Sequence, residues 1–228
     1  MNRRQWLRTL KSHKLFYNQY LYRLQIRNDL AGYFREKNFT VTRYALDRLQ
    51  RLYDESQMLE VVRGLRVYRV SEDAFFDAKK LYNLFLKYDD FKLRVESLYI
   101  NVYSNNKSWL QSVAKNIHRE NVISFYEPDA DYIGLLEKDT IVVEKDNGYQ
   151  YKVTLGNNKN SSKFAEWAKL NPKQIKLGPI SYKDMANNSY VNGLYFYAKN
   201  DKTLQLCALM LDNIRRVDKL IVKPNIDK

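Results

Sequence analysis

Cysteine is almost absent from the sequence, which has one copy, Cys207, in 228 residues. A single cysteine excludes an internal disulfide framework and a zinc site built on several thiolates. It also indicates a reducing compartment, so we expect an intracellular protein, cytoplasmic or, in a eukaryote, nuclear. Cys207 lies on the apolar side of a predicted helix, where a free cysteine behaves as a small core residue.

Glycine and proline are scarce as well, with 7 and 4 copies, which disfavours long flexible linkers. No Gly-rich phosphate loop is present, and His13 and His118 lack the spacing of a metal-binding pair. No apolar run approaches the roughly 18–20 residues that span a bilayer, and the first residues lack the apolar segment of a signal peptide. We therefore expect no cofactor and no transmembrane segment.

Tyrosine and positive charge are abundant instead, with 19 tyrosines and a formal net charge of +13. Seven cations precede the first acid, Asp29, whereas residues 121–150 are mainly acidic. A surplus of this size favours polyanionic partners, nucleic acid first and anionic membranes second. Simple solubility is the alternative explanation.

Two pairs of segments suggest an internal repeat. Residues 18–29 align with 147–158, and residues 98–114 resemble 194–208 when two residues are skipped. Because the segments occur in the same order in both halves, we predict an α+β fold made by internal duplication of a ferredoxin-like (βαββαβ) unit. Each antiparallel sheet would carry its helices on one face.

The predicted domains are a first unit (1–126), an acidic linker (127–139) and a second unit (140–228). The first unit is expected to have additional helices, one basic at its N-terminus (about 3–13) and one over 71–88. It also contains a long or bent strand, predicted over residues 91–103.

A hairpin is predicted at the start of the second unit. Asn147 and Gly148 separate the apolar run 141–144 from the alternating segment 149–155, and both residues suit positive φ. In both units the strand alternation then leaves one face of the sheet without helices.

The faces without helices are expected to present tyrosines for stacking unpaired bases and cations for holding phosphates. This architecture resembles RNA-recognition sheets, although the glycine-aromatic signature of that family is absent. The basic N-terminus is expected to contribute to the same surface. The candidate nucleic-acid-binding residues are Arg3, Arg4, Arg23, Arg27, Tyr99, Tyr103, Lys152, Tyr195, Tyr197 and Lys199.

The expected function is therefore a non-enzymatic nucleic-acid-binding or nucleoprotein-assembly protein, whose partner is single-stranded or structured RNA or DNA. The alternative is a structural or adaptor subunit that binds protein through the same faces, since tyrosine is also enriched at protein interfaces. A more distant alternative is metal-dependent nucleotidyl transfer, for which Asp129 and Asp131 are weak metal candidates. The chain also resembles CRISPR RNA-processing endonucleases in size, charge and predicted duplication, but it lacks their glycine-rich loop near the C-terminus.

Overall fold

The computed structural model describes residues 8–37, 39–156, 162–189 and 193–223. The chain divides into two compact units. Unit 1 comprises the described residues up to Ser12 together with Gln19–Asp129, and unit 2 comprises His13–Asn18 together with the described residues from Ala130 onward.

Unit 1 has seven strands and three α-helices among its described residues. The strands are β1 (Arg8–Ser12), β2 (Tyr22–Arg27), β3 (Glu60–Arg63), β4 (Arg66–Arg69), β5 (Lys92–Glu96), β6 (Tyr99–Ser104) and β7 (Val122–Pro128). The helices are α1 (Thr40–Asp54), α2 (Glu72–Leu86) and α3 (Lys107–Asn116).

Five of these strands form one sheet in the order β1-β7-β2-β6-β5, and β3 and β4 form a separate hairpin. All neighbours in the sheet are antiparallel except β1 and β7, which are parallel. One face of the sheet packs against the helices, where Leu24, Ile100 and Phe75 have no exposed surface. Each such side chain contributes about 1.5–3 kcal/mol through burial.

Unit 2 has a five-stranded sheet and three α-helices among its described residues. Its described strands are β8 (Thr140–Val143), β9 (Tyr151–Leu155), β10 (Ile175–Leu177), β11 (Tyr195–Ala198) and β12 (Ile214–Val222), and its helices are α4 (Ser162–Leu170), α5 (Pro179–Ala186) and α6 (Asp201–Met210). The sheet order is β10-β11-β9-β12-β8, and only β8 and β12 are parallel. Its core contains Val153, Phe164 and Phe196.

Helices α2 and α6 each begin at a residue whose side chain caps the N-terminus. Ser71 accepts a hydrogen bond from the backbone N–H of Ala74, and Glu72 and Asp73 lie in the favourable first turn of α2. Asn200 caps α6 by accepting from the backbone N–H of Thr203. The predicted helix over 71–88 is therefore confirmed within two residues.

Three local predictions are wrong. Residues 8–12 form strand β1 instead of a helix, because the edge of β7 supplies a complete ladder of hydrogen bonds. The remainder of the predicted basic N-terminal helix lies outside the described residues. The region 91–103 is a hairpin of two strands with Ser97 at positive φ in its turn. Asn147 and Gly148 do not join paired strands, because β12 lies between β8 and β9.

The α+β class is confirmed, but the two five-stranded sheets are mixed where antiparallel ones were expected, since each of them ends in a parallel edge strand. In the predicted linker region, β7 continues to Pro128, and Ala130–Leu135 forms short 3-10 turns. Within the described ranges, no helix is both long enough and apolar enough to cross a membrane.

Candidate functional site

The face of the unit 2 sheet that lies opposite its helices carries tyrosines and cations in cross-strand register. Tyr197 on β11 lies opposite Lys152 on β9 and Lys176 on β10. In the next row, Thr154 lies between Tyr195 and Arg216. We call this surface the tyrosine face, and its residues are Lys14, Lys152, Thr154, Lys176, Tyr195, Tyr197, Arg216 and Asp218.

The two aromatic rings of the tyrosine face contact each other edge to face. Their centroids are 5.7 Å apart and their planes meet at 79°. Tyr195 is 43% exposed, and the ammonium of Lys152 lies 4.0 Å from the centroid of its ring. Burial raises the pKa of Tyr197, and the neighbouring Tyr195 raises it further. An exposed ring beside a cation is suited to stacking a base while holding its phosphate.

A buried carboxylate, Asp218, holds one of the cations on this face, Arg216. Asp218 is 1% exposed and accepts a hydrogen bond of 2.7 Å from Nε of Arg216, with a second contact from the Nη2 of the same guanidinium. Burial lowers the pKa of Lys14, and repulsion from Arg216 and Lys152 lowers it further, whereas Asp218 opposes this shift.

Lys14, Lys152 and Arg216 therefore lie close enough to Asp218 and to one another for their charges to interact, and three cations to one carboxylate leave a surplus of positive charge among these described residues. Since their mutual repulsion already disfavours the protonated form of Lys14, an anion placed among them would relieve that repulsion. A phosphate oxygen is the natural ligand for such a group of lysine and arginine side chains.

The corresponding face of unit 1 is mainly a closed polar network. Gln25 donates to Asn101 over 3.1 Å, and Asn101 donates in turn to Glu96 over 3.4 Å. Asn101 is 1% exposed. The guanidinium of Arg23 lies 3.7 Å from the ring centroid of Tyr126. Gln25, Asn101 and Glu96 thus bond to one another.

The candidate residues of unit 1 divide by exposure. Arg27 and Tyr99 are cross-strand partners, and both are exposed. Arg23 is half-buried. The expectation that Tyr103 is exposed is wrong, because its side chain is 5% exposed and stands between Arg23 and Lys92 in the same row. Tyr103 is therefore unable to present a face to a base.

The remaining candidates lie away from the two sheet faces or outside the described residues. Lys199 is exposed just after β11. Arg3 and Arg4 lie outside the described ranges. Asp131 lies 3.3 Å from the ammonium of Lys223. Neither Asp131 nor Asp129 belongs to a group of three or more potential metal ligands among the residues that the structure describes.

The two histidines contact neighbouring polar side chains, and the cysteine is buried in the core of unit 2. The ring of His118 contacts Asp77 at 2.9 Å and Asp73 at 3.3 Å. Nδ1 of His13 lies 2.8 Å from the hydroxyl of Tyr132. Cys207 is fully buried, and burial raises the pKa of its thiol to about 12, so the thiolate nucleophile is suppressed.

The candidate residues chosen from the sequence omit five of the eight members of the tyrosine face: Lys14, Thr154, Lys176, Arg216 and Asp218. Alternation along β12 carries a signal for two of them, because Arg216 and Asp218 flank the core residue Val217. Lys14 precedes the first strand of the predicted repeat, and only the folded chain brings it beside Asp218.

Comparisons with models of known protein families, with curated proteins and with solved structures found no match for this chain.

Proposed function

We propose that this chain is a non-enzymatic nucleic-acid-binding or nucleoprotein-assembly protein, built from two ferredoxin-like units that arose by internal duplication. The strand orders support the duplication. We number the four strands of each unit in chain order, as β2, β5, β6 and β7 in unit 1 and as β9, β10, β11 and β12 in unit 2. From one edge to the other, each five-stranded sheet then has an additional strand followed by the fourth, first, third and second strands of its unit, in the orders β1-β7-β2-β6-β5 and β8-β12-β9-β11-β10. In both, the additional strand precedes the unit and runs parallel to its last strand.

The observation that carries the proposed function is the juxtaposition of Tyr195 with Lys152 and with the cations around Asp218. Base stacking on an exposed tyrosine and phosphate binding by a neighbouring cation supply the two parts of single-strand recognition. The face requires no metal and no nucleophile for this task. Electrostatic attraction from a chain of net charge +13 would assist the encounter.

The test is binding of labelled single-stranded and duplex oligonucleotides, both DNA and RNA, over a series of salt concentrations. We expect binding that weakens steeply with salt, because phosphate contacts release counterions. The Tyr195→Ala variant should weaken single-strand binding by about 1–3 kcal/mol, the value of one stacked base.

Two variants control this experiment. Tyr195→Phe keeps the ring and should bind nearly as the unchanged chain does, whereas Tyr44→Ala removes a 71% exposed tyrosine from helix α1 and should have no effect. Absence of binding at low salt, or equal losses for Tyr195→Ala and Tyr44→Ala, would contradict the proposal.

The second candidate function is a structural or adaptor subunit, and the β3–β4 hairpin favours it. Val62 lies opposite Val67, and these side chains are 48% and 58% exposed. Leu65 in the turn is fully exposed. Exposed apolar side chains grouped in this way are typical of protein-binding surfaces. Binding through them would change little with salt, which separates this candidate from the first.

A further inference from the structure

A groove in unit 2 lies beside the tyrosine face, between the end of α4, strand β10 and the start of α5. Its volume is about 620 Å³, within the range of small-molecule sites. Ile175 and Pro172 contribute apolar surface to it, and Tyr149 and Tyr182 contribute aromatic rings. The groove is thus large enough for a nucleotide and has the apolar surface that a base prefers.

The charged residues of the groove are both cations. Lys169 and Lys176 line it, both are exposed, and none of the described residues that line it is acidic. The ammonium of Lys169 lies 5.4 Å from the ring centroid of Tyr182. A cation held beside an aromatic ring is complementary to a flat ring that carries a nearby negative charge.

The groove is continuous with the tyrosine face. The hydroxyl of Tyr149 donates to the backbone oxygen of Pro172 over 2.9 Å, which fixes the orientation of its ring. The same ring lies 6.3 Å from that of Tyr197. Lys176 belongs to both surfaces, because it lines the groove and lies opposite Tyr197 in the sheet.

We propose that this groove binds one unpaired nucleotide, with the base against Tyr182 and the phosphate between Lys169 and Lys176. This inference rests on the proposed function and specifies it: a single strand crosses the tyrosine face and places one nucleotide in the groove. A base paired within a duplex would first have to leave its stack, which disfavours duplex ligands.

The groove is tested by titrating the intact chain with adenosine monophosphate, adenosine and ribose 5-phosphate at low salt, followed by NMR or calorimetry. Adenosine monophosphate should bind more tightly than either fragment, because only it engages both the rings and the lysines. Tyr182→Ala should weaken its binding by about 5- to 150-fold, the equivalent of one lost stack.

Further variants distinguish a loss of binding from a loss of folding. Tyr182→Phe keeps the aromatic ring and should retain binding of adenosine monophosphate. Lys169→Gln changes an exposed side chain and should weaken the binding of adenosine monophosphate while leaving the binding of adenosine unchanged. Failure of adenosine monophosphate to bind, or binding that neither Tyr182→Ala nor Lys169→Gln weakens, would overturn the inference.

The oligonucleotide experiment separates this failure from failure of the proposed function. If Tyr195→Ala weakens single-strand binding but Tyr182→Ala leaves it unchanged, the tyrosine face binds nucleic acid and the groove does not. If the chain binds neither oligonucleotides nor adenosine monophosphate, both proposals are wrong. Weakening by both variants supports the continuous path.

Discussion

Asp77 shows how a single buried carboxylate can hold a segment of chain in place. It has no exposed surface and lies on α2. Both of its oxygens lie 3.0 Å from the backbone N–H of His118, and the amide of Asn121 donates to it over 2.7 Å. Replacing it with alanine leaves these donors without an acceptor, so we expect Asp77→Ala to lower the free energy of unfolding by about 2–4 kcal/mol.

Asp73 provides the matched control for this prediction, measured by denaturant unfolding of the full chain. It lies one turn earlier on α2 and also contacts the ring of His118, at 3.3 Å, but its side chain is 70% exposed. An exposed pair of this kind contributes at most about 1 kcal/mol, so Asp73→Ala should lower the free energy of unfolding by no more than this amount. Equal destabilisation by the two variants would show that the burial of Asp77 does not determine its contribution to stability.

Tyr195 and Tyr103 show which part of the candidate site the sequence could predict. Strand alternation places both on the side of their sheet away from the helices. Exposure depends on the neighbours across the sheet, and here the two differ: Tyr195 is 43% exposed, whereas Tyr103 is 5% exposed. Neighbours in space come from strand pairing, which a local pattern does not contain.

At the scale of elements, Glu127 on β7 connects the edge strand β1 to helix α3. One carboxylate oxygen lies 2.6 Å from the ammonium of Lys107, and the other lies 3.5 Å from that of Lys11. The hydrogen bond from Lys107 lowers the pKa of Glu127 from its ordinary value of 4.5, and the charge of Lys11 adds to this effect.

The ion pair should make stability depend on pH in a defined direction. Since folding lowers the pKa of Glu127, its stabilising effect is complete above about pH 5 and is lost as the pH falls through the folded-state value. Glu127→Gln should therefore lower the free energy of unfolding at pH 7 and flatten the acid limb of the plot of that free energy against pH. Glu166→Gln, which replaces an exposed glutamate of α4, should leave that limb unchanged.

Elements with strong local signals were predictable, and those defined by distant pairing were not. The cap at Ser71 marks the start of α2, and Asn171-Pro172 marks the end of α4. By contrast, β1 is a strand because β7 offers it an edge. The sequence does not predict helix α5, although Pro179 occupies its first turn, because its eight residues carry little periodic pattern.

At the scale of the whole molecule, the question is whether net charge or its placement governs binding. A chain of net charge +13 attracts any polyanion, so weak binding alone would not identify a site. Two double variants with equal charge separate these effects. Lys152→Gln with Lys176→Gln removes two cations from the tyrosine face, and Lys87→Gln with Lys115→Gln removes two exposed cations near the ends of α2 and α3.

Both double variants lower the net charge by two, so an effect of net charge would weaken single-strand binding equally. If phosphates are bound at the tyrosine face, only the first variant loses direct contacts. Its slope of log affinity against log salt should then be shallower by about 1.4, because each single-strand phosphate contact contributes about 0.7. The second variant should keep the slope of the unchanged chain. Equal slopes for the two variants would mean that the phosphates are not held by Lys152 and Lys176.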